Sequence, residues 1–176
     1  MADSSRNASA PGPITRFLAA DHLRLDGLLA EASGSATAID RTTYAAFRAG
    51  LLKHIGMEEK ILLPNAQRHR GGEALPIAAK LRLDHGALAA LLVPTPTPAI
   101  IAALRRILTA HNALEEGPAG VYEECERLAG MDAEALLAQL QSAPEVPMHA
   151  HVDGPRIMAA TRRALARAGY SLDEPA

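Results

Sequence analysis

The chain reads as an all-α protein, an up-down-up-down four-helix bundle with an extra C-terminal helix. Three observations predict this. The 176 residues are rich in Ala and Leu, and only 3% are aromatic, with no Trp, two Phe and three Tyr; such a composition favours helices over sheets. Apolar residues recur at helical spacing in long stretches, and short Gly-, Ser- and Pro-rich breaks separate them. Four of these stretches each carry one histidine in the interior. Four long helices with short connections are the signature of an antiparallel bundle.

Residues 1–12, rich in Ser, Ala, Pro and Gly, have no apolar core like that of a signal peptide and read as a disordered lead-in. The first helix is expected over 13–32, with Pro13 in its first turn and Ile14, Phe17, Leu18, Leu25, Leu28 and Leu29 on its inner face. Ser33, Gly34 and Ser35 break it. The second is expected over 40–64 or a little beyond, with Asp40 as N-cap and Phe47, Leu51, Leu52, Ile55, Leu62 and Leu63 inward. Pro64 kinks or ends it, and 67–72 is expected to be a turn. A third helix is expected over 73–93, stopped by the Pro-Thr-Pro-Thr-Pro stretch at 94–98. The fourth starts near Pro98, passes Glu116, and is interrupted by Gly117 and Pro118 before a further helical piece ending near Gly130. The bundle domain is therefore taken as 13–130. The remainder, 131–176, is a C-terminal extension with a short helix over 132–141, a Pro-rich connection and a basic helix over 155–168.

The bulk properties exclude several functions. The formal net charge of -2 gives no electrostatic case for nucleic acid or an acidic membrane surface. No apolar run approaches the roughly 18–20 residues that span a bilayer. A single cysteine, Cys125, excludes an intramolecular disulfide framework and suits a reducing compartment, so the expected location is cytoplasmic.

The histidines carry the chemistry. A lone His22 is followed by His54 and, four residues on, Glu58; a lone His85 is followed by His111 and, four residues on, Glu115. Residues four apart share a helix face, so each His-x-x-x-Glu pair can aim one nitrogen and one carboxylate at the same point. Two such units facing each other supply four imidazoles and two carboxylates, a donor set for two metal ions. His22 and His54 would serve one ion and His85 and His111 the other, with Glu58 and Glu115 bridging. An oxo, hydroxo or water bridge would add a donor and leave an open position. Mixed nitrogen and oxygen ligation favours iron, with manganese or zinc as competitors; structural zinc more often uses cysteine.

The other polar residues receive plainer readings. Glu59, Glu116 and Asp26 are expected to be solvated helix positions. Asp21 and Asp84 could fix imidazole tautomers, but adjacent residues on a helix point about 100° apart, so that role would fall more naturally to other helices. His69 is expected in an exposed turn, and His149 and His151 in a plain Pro-rich loop. Cys125 is expected to pack. Arg156, Arg162, Arg163 and Arg167 give the last helix a basic, solvated face.

The stretches LAADHLRLDGLL around His22, LLKHIGMEEKILLP around His54, KLRLDHGALAALL around His85 and LTAHNALEEGPAGVYEE around His111 resemble the hemerythrin-like, or HHE cation-binding, family over about residues 13–130. The resemblance implies a four-helix bundle around a non-haem di-iron centre, with His22, His54, Glu58, His85, His111 and Glu115 as iron ligands. It implies binding or sensing of oxygen, nitric oxide, peroxide or iron. Two alternatives stay open: a di-iron oxidoreductase acting on peroxide, oxygen or ferrous iron, and a metal-stabilised protein-interaction module. The expected partners are a small diatomic or peroxide ligand and a protein partner or second copy of the chain. The oxygen carriers of the family have a fifth histidine on the third helix, where this chain has Leu81 and Ala89 one turn either side of His85, and an aspartate where Glu115 stands. The likeness is therefore closer to the four-histidine, two-glutamate bacterial branch.

Overall fold

The alternation of apolar and polar stretches produces a helical fold with two separate apolar cores. A computed structural model of the chain describes residues 10–34 and 38–172. Most of the N-terminal lead-in therefore lies outside the described residues, as do Ser35 of the first break and the last four residues. The elements in order are α1 (Pro13–Ala32), α2 (Arg41–Met57), a π-helical turn (Glu58–Leu62), α3 (Leu63–His69), α4 (Ala78–Leu91), α5 (Pro98–Glu116), α6 (Val121–Ala129), a 3-10 turn (Gly130–Asp132), α7 (Ala133–Gln141) and α8 (Pro155–Ala168). No strand occurs among the described residues. None of these helices is long and apolar enough to cross a membrane.

Local signals explain most boundaries. Pro13 and Pro98 occupy first-turn positions of α1 and α5, where a missing N–H costs nothing. The Asp40 carboxylate accepts from the backbone N–H groups of Thr42 and Thr43 at 2.8 and 3.0 Å and caps α2. Gly169, at φ +89°, ends α8 in the left-handed conformation that favours glycine.

Two expectations fail for identifiable reasons. Residues 67–69 belong to α3, and the turn is confined to Arg70–Gly72. The chain accommodates Pro64 by widening the preceding turn: the N–H of Leu63 reaches back five residues to Glu58 O, and the helix continues through the proline. The helix expected from residue 73 begins only at Ala78, because Pro76 disfavours the helical conformation of the residue before it.

The two apolar clusters sit on either side of a polar layer. One gathers Leu25, Leu29, Phe47, Leu51, Leu88 and Leu104; the other gathers Ile14, Leu18, Leu62, Leu81, Tyr122 and Leu136. Along α1 the order is Leu18, His22, Leu25, and along α4 it is Leu81, His85, Leu88. Along α2 and α5 the order is reversed, the first cluster coming before His54 and His111. The four histidines are thus brought to one level between the cores. The C-terminal extension covers the outside: α8 packs on α4, burying Thr161, Ala164 and Leu165.

Leu104 is fully buried in the first cluster. Leu104→Ala is expected to cost about 2–5 kcal/mol, since the cavity left behind adds to the lost burial. The urea midpoint would show it, and a loss within a few tenths of a kcal/mol would mean that α5 is not packed as described.

Candidate metal centre

All six residues of the repeated His, His-x-x-x-Glu pattern come together, each nearly inaccessible to solvent. They form two groups that share both carboxylates. His22, His54, Glu58 and Glu115 make one, and Glu58, His85, His111 and Glu115 the other; in each group the donor atoms lie within 4.8 Å of one another. Either group could hold a metal ion.

Each imidazole is oriented by a carboxylate on a different helix. His54 Nδ1 donates to Asp21 on α1 at 2.8 Å, and His85 Nδ1 donates to Glu59 on the π-helical turn at 2.7 Å. His22 Nδ1 donates to Glu116 on α5 through a short contact. His111 Nδ1 makes a longer contact, 3.4 Å, with Asp84 on α4. Asp84 is itself held by Lys80 Nζ at 2.5 Å. A proton fixed on Nδ1 leaves Nε2 bare and raises its basicity, which is how proteins aim histidine at a metal.

The four acidic partners follow a rule. In Asp21-His22 and Asp84-His85 the histidine points into its own group while the aspartate reaches the histidine of the next helix. In Glu58-Glu59 and Glu115-Glu116 the first glutamate turns inward and the second crosses to a lone histidine. Glu59 and Glu116, expected as solvated positions, therefore take part in the site despite their partial exposure. Consecutive helical residues diverge by about 100°, so only a neighbouring helix can receive the second one. Asp26 is exposed and stays outside both groups.

Tyr122 on α6 enters the same layer and was not legible as a site residue in the sequence. It lies beyond the interruption at Gly117 and Pro118. A tight turn there, closed by the 2.7 Å hydrogen bond from Gly120 N–H to Gly117 O, folds α6 back over Glu115. A Cβ at Gly120 would stand 2.4 Å from Glu115 O, so this close approach needs glycine. The only usable sequence signal was a tyrosine in a chain with few aromatics.

The electrostatics are those of a site built around positive charge. Burial opposes a charge on Glu58, but His54 and His85 hold its carboxyl well below the usual range. Burial and the charge of Glu58 push Glu115 up to about 7. Burial likewise works against the imidazolium forms; the carboxylates win at His54, pushed up to about 10 chiefly by Glu58, and at His111, pushed up to about 9 chiefly by Asp84 and Glu115. His85 is raised in the same way by Glu58 and Glu59. His22 is lowered by burial and by its neighbour His54.

The donor set fits a cation on direct observation. Glu58 Oε2 is buried without a hydrogen-bond partner, although His85 Nε2 lies 3.1 Å away. His85 Nε2 and His111 Nε2 face each other at 3.0 Å. Without metal, a proton on His111 Nε2 can bridge the two; once both rings are neutral with Nδ1–H engaged, two lone pairs meet there, an arrangement that a cation between them resolves.

Other sequence candidates lie elsewhere. His69 is exposed beside Asp132 at 3.5 Å. His149 is exposed, and its backbone carbonyl accepts from Arg48 at 2.6 Å. His151 is half-buried beside Tyr44. Cys125 is buried in the second core, where burial pushes its thiol up to about 12. No family model matches this chain, and neither does any curated protein or solved structure.

Proposed function

We propose that this protein is a hemerythrin-like di-iron protein that binds two iron ions in the His/Glu layer and presents them to a small ligand such as oxygen, nitric oxide or peroxide. The observation that carries the reading is the sharing of Glu58 and Glu115 between two groups of donors. One ion would take His22 and His54, the other His85 and His111, and each glutamate would give one oxygen to each side. The opposite order of apolar clusters along successive helices supports the up-down-up-down four-helix arrangement of such proteins.

Iron, when bound, supplies coordination positions for the ligand and a change of oxidation state. The chain does the rest. Asp21, Glu59, Asp84 and Glu116 hold the imidazoles in the ligating tautomer. The two apolar cores exclude bulk water from above and below, which strengthens every charge interaction inside the layer. Iron is favoured over zinc because the donors are mixed nitrogen and oxygen and the buried cysteine lies outside both groups.

The test is an anaerobic ferrous titration of the metal-free protein followed by admission of air. The expected end point is two irons per chain, with ferric charge-transfer absorption appearing on oxidation. An end point at one, or no saturable uptake, would sink the di-iron reading. Repeated consumption of peroxide by the loaded protein would move it to the oxidoreductase alternative.

A further inference from the structure

The layer is two-fold symmetric in its histidines and carboxylates and asymmetric at one atom. Tyr122 Oη lies 2.6 Å from Glu58 Oε1, 3.1 Å from Glu115 Oε2, 3.1 Å from His22 Nε2 and 3.2 Å from His54 Nε2. These are the four donors of one group. In the state that binds a metal, with the imidazoles neutral and Nδ1–H engaged, all four atoms are acceptors. A phenol has one proton and satisfies one of them, here Glu58 at the shortest distance. In that state the remaining three contacts have no donor.

A cation among the five atoms accounts for all of them. Around an ion with bonds of roughly 2.1 Å, donors at adjacent octahedral corners stand roughly 3 Å apart, and opposite donors roughly 4.2 Å. Tyr122 Oη is at the adjacent-corner distance from all four of the others. Those four are themselves 3.4 Å apart between His54 Nε2 and Glu58 Oε1, and 3.5 Å between His22 Nε2 and Glu115 Oε2. With all four donors within 4.8 Å of one another, these distances suit a base of four donors with the phenolic oxygen at the apex. The second group has a similar base: Glu58 Oε2 to His85 Nε2 is 3.1 Å, His85 Nε2 to His111 Nε2 is 3.0 Å, and His111 Nε2 to Glu115 Oε1 is 3.1 Å. No further His, Cys, Asp or Glu joins this group among the described residues.

We infer that Tyr122 is the fifth protein ligand, as a phenolate, of the ion held by His22 and His54, and that the small ligand binds at the other ion alone. The inference rests on the di-iron reading proposed above. Ligation exchanges the phenolic proton for the metal and releases that proton to solvent; no electron moves. The two ions would thereby be inequivalent: with a solvent-derived bridge in its sixth position the first would be closed, and the second would keep an open position.

The test uses the full chain loaded with iron and oxidised, examined by resonance Raman spectroscopy within its visible absorption. Tyrosinate ring modes are expected in the parent and in Tyr44→Phe and Tyr170→Phe, and should vanish in Tyr122→Phe while two irons per chain remain. An azide titration reads the other half, with one equivalent bound by the parent and two by Tyr122→Phe. A parent that holds two irons but shows no tyrosinate modes would overturn the inference and leave the di-iron reading standing. A parent that already binds two azides would overturn the division into closed and open ions. Failure to take up iron would overturn both readings together. Should Tyr122→Phe fail to fold, the two other tyrosine variants decide by elimination, and loss of the modes in either counts against Tyr122.

Discussion

Glu58→Ala is expected to reduce the metal content of the reconstituted protein from two ions per chain to almost none. His69→Ala should leave it unchanged. Glu58 differs from a histidine ligand because its two oxygens face different groups, Oε1 toward His54 and Oε2 toward His85. Its loss therefore removes a donor from both positions and also the negative charge that offsets two cations in an apolar surround. His54→Ala should act mainly on one position. Changing even an outer partner of a ligand typically costs roughly ten- to a hundredfold in metal affinity, and a shared ligand should cost more. Folding is a separate matter. Glu58 is buried among imidazoles that carry protons in the metal-free protein, and removing one member of such a set typically destabilises by about 3–5 kcal/mol. Glu58→Gln, which keeps the shape, is the companion variant. Metal analysis after gel filtration, with circular dichroism on the same samples, separates the two effects. Full metal content in folded Glu58→Gln, or equal loss in His69→Ala, would show that the shared carboxylate is not the keystone of the site.

The His/Glu pattern was legible because its spacing is a helix property. A histidine and a glutamate four residues apart share a face wherever the helix goes. The common level of His22, His54, His85 and His111 depended on tertiary register, which sequence periodicity leaves open; here the apolar blocks on either side of each histidine set it. The contacts of Glu59 and Glu116 were harder to see, because a residue adjacent to an inward-facing one looks solvated on its own helix and finds its partner only on another helix. Tyr122 was hidden for another reason. Its position follows from the turn at Gly117–Gly120, and a change of chain direction cannot be read as a phase on a helical wheel. The start of α4 was misjudged because apolar periodicity runs on through Pro76, where backbone sterics overrule it.

Metal and protons compete for the same nitrogens, so acidification is expected to empty the centre steeply. Burial disfavours the imidazolium of His54, yet Glu58 and Asp21 hold it up to about 10; Asp84 and Glu115 hold His111 up to about 9. Both rings therefore keep a second proton at neutral pH when no metal is present, and a metal must displace both. Each displaced proton makes the apparent affinity fall about tenfold per pH unit, so these two alone give about a hundredfold per unit near neutrality, and the phenolic proton of Tyr122 would steepen it further. Below about 7 the carboxyl of Glu115, raised by burial and by Glu58, adds a third proton to the competition. The stability of the metal-free fold runs the other way. A histidine whose folded pKa is raised contributes stability that is fully present below its unfolded value of 6.5 and lost as pH rises through about 9 to 10. Glu58, depressed in the fold, contributes stability above its ordinary value of 4.5 that is lost as pH falls through its lowered one. Raising the pH from about 6 to about 9 should thus weaken the metal-free bundle while strengthening metal binding, and the gap between loaded and metal-free Tm values should widen. Scanning calorimetry of both forms across that range reads the gap directly. A gap that stays constant or narrows with pH would mean that His54 and His111 do not exchange protons for metal, and the assignment of these two imidazoles as ligands would fall.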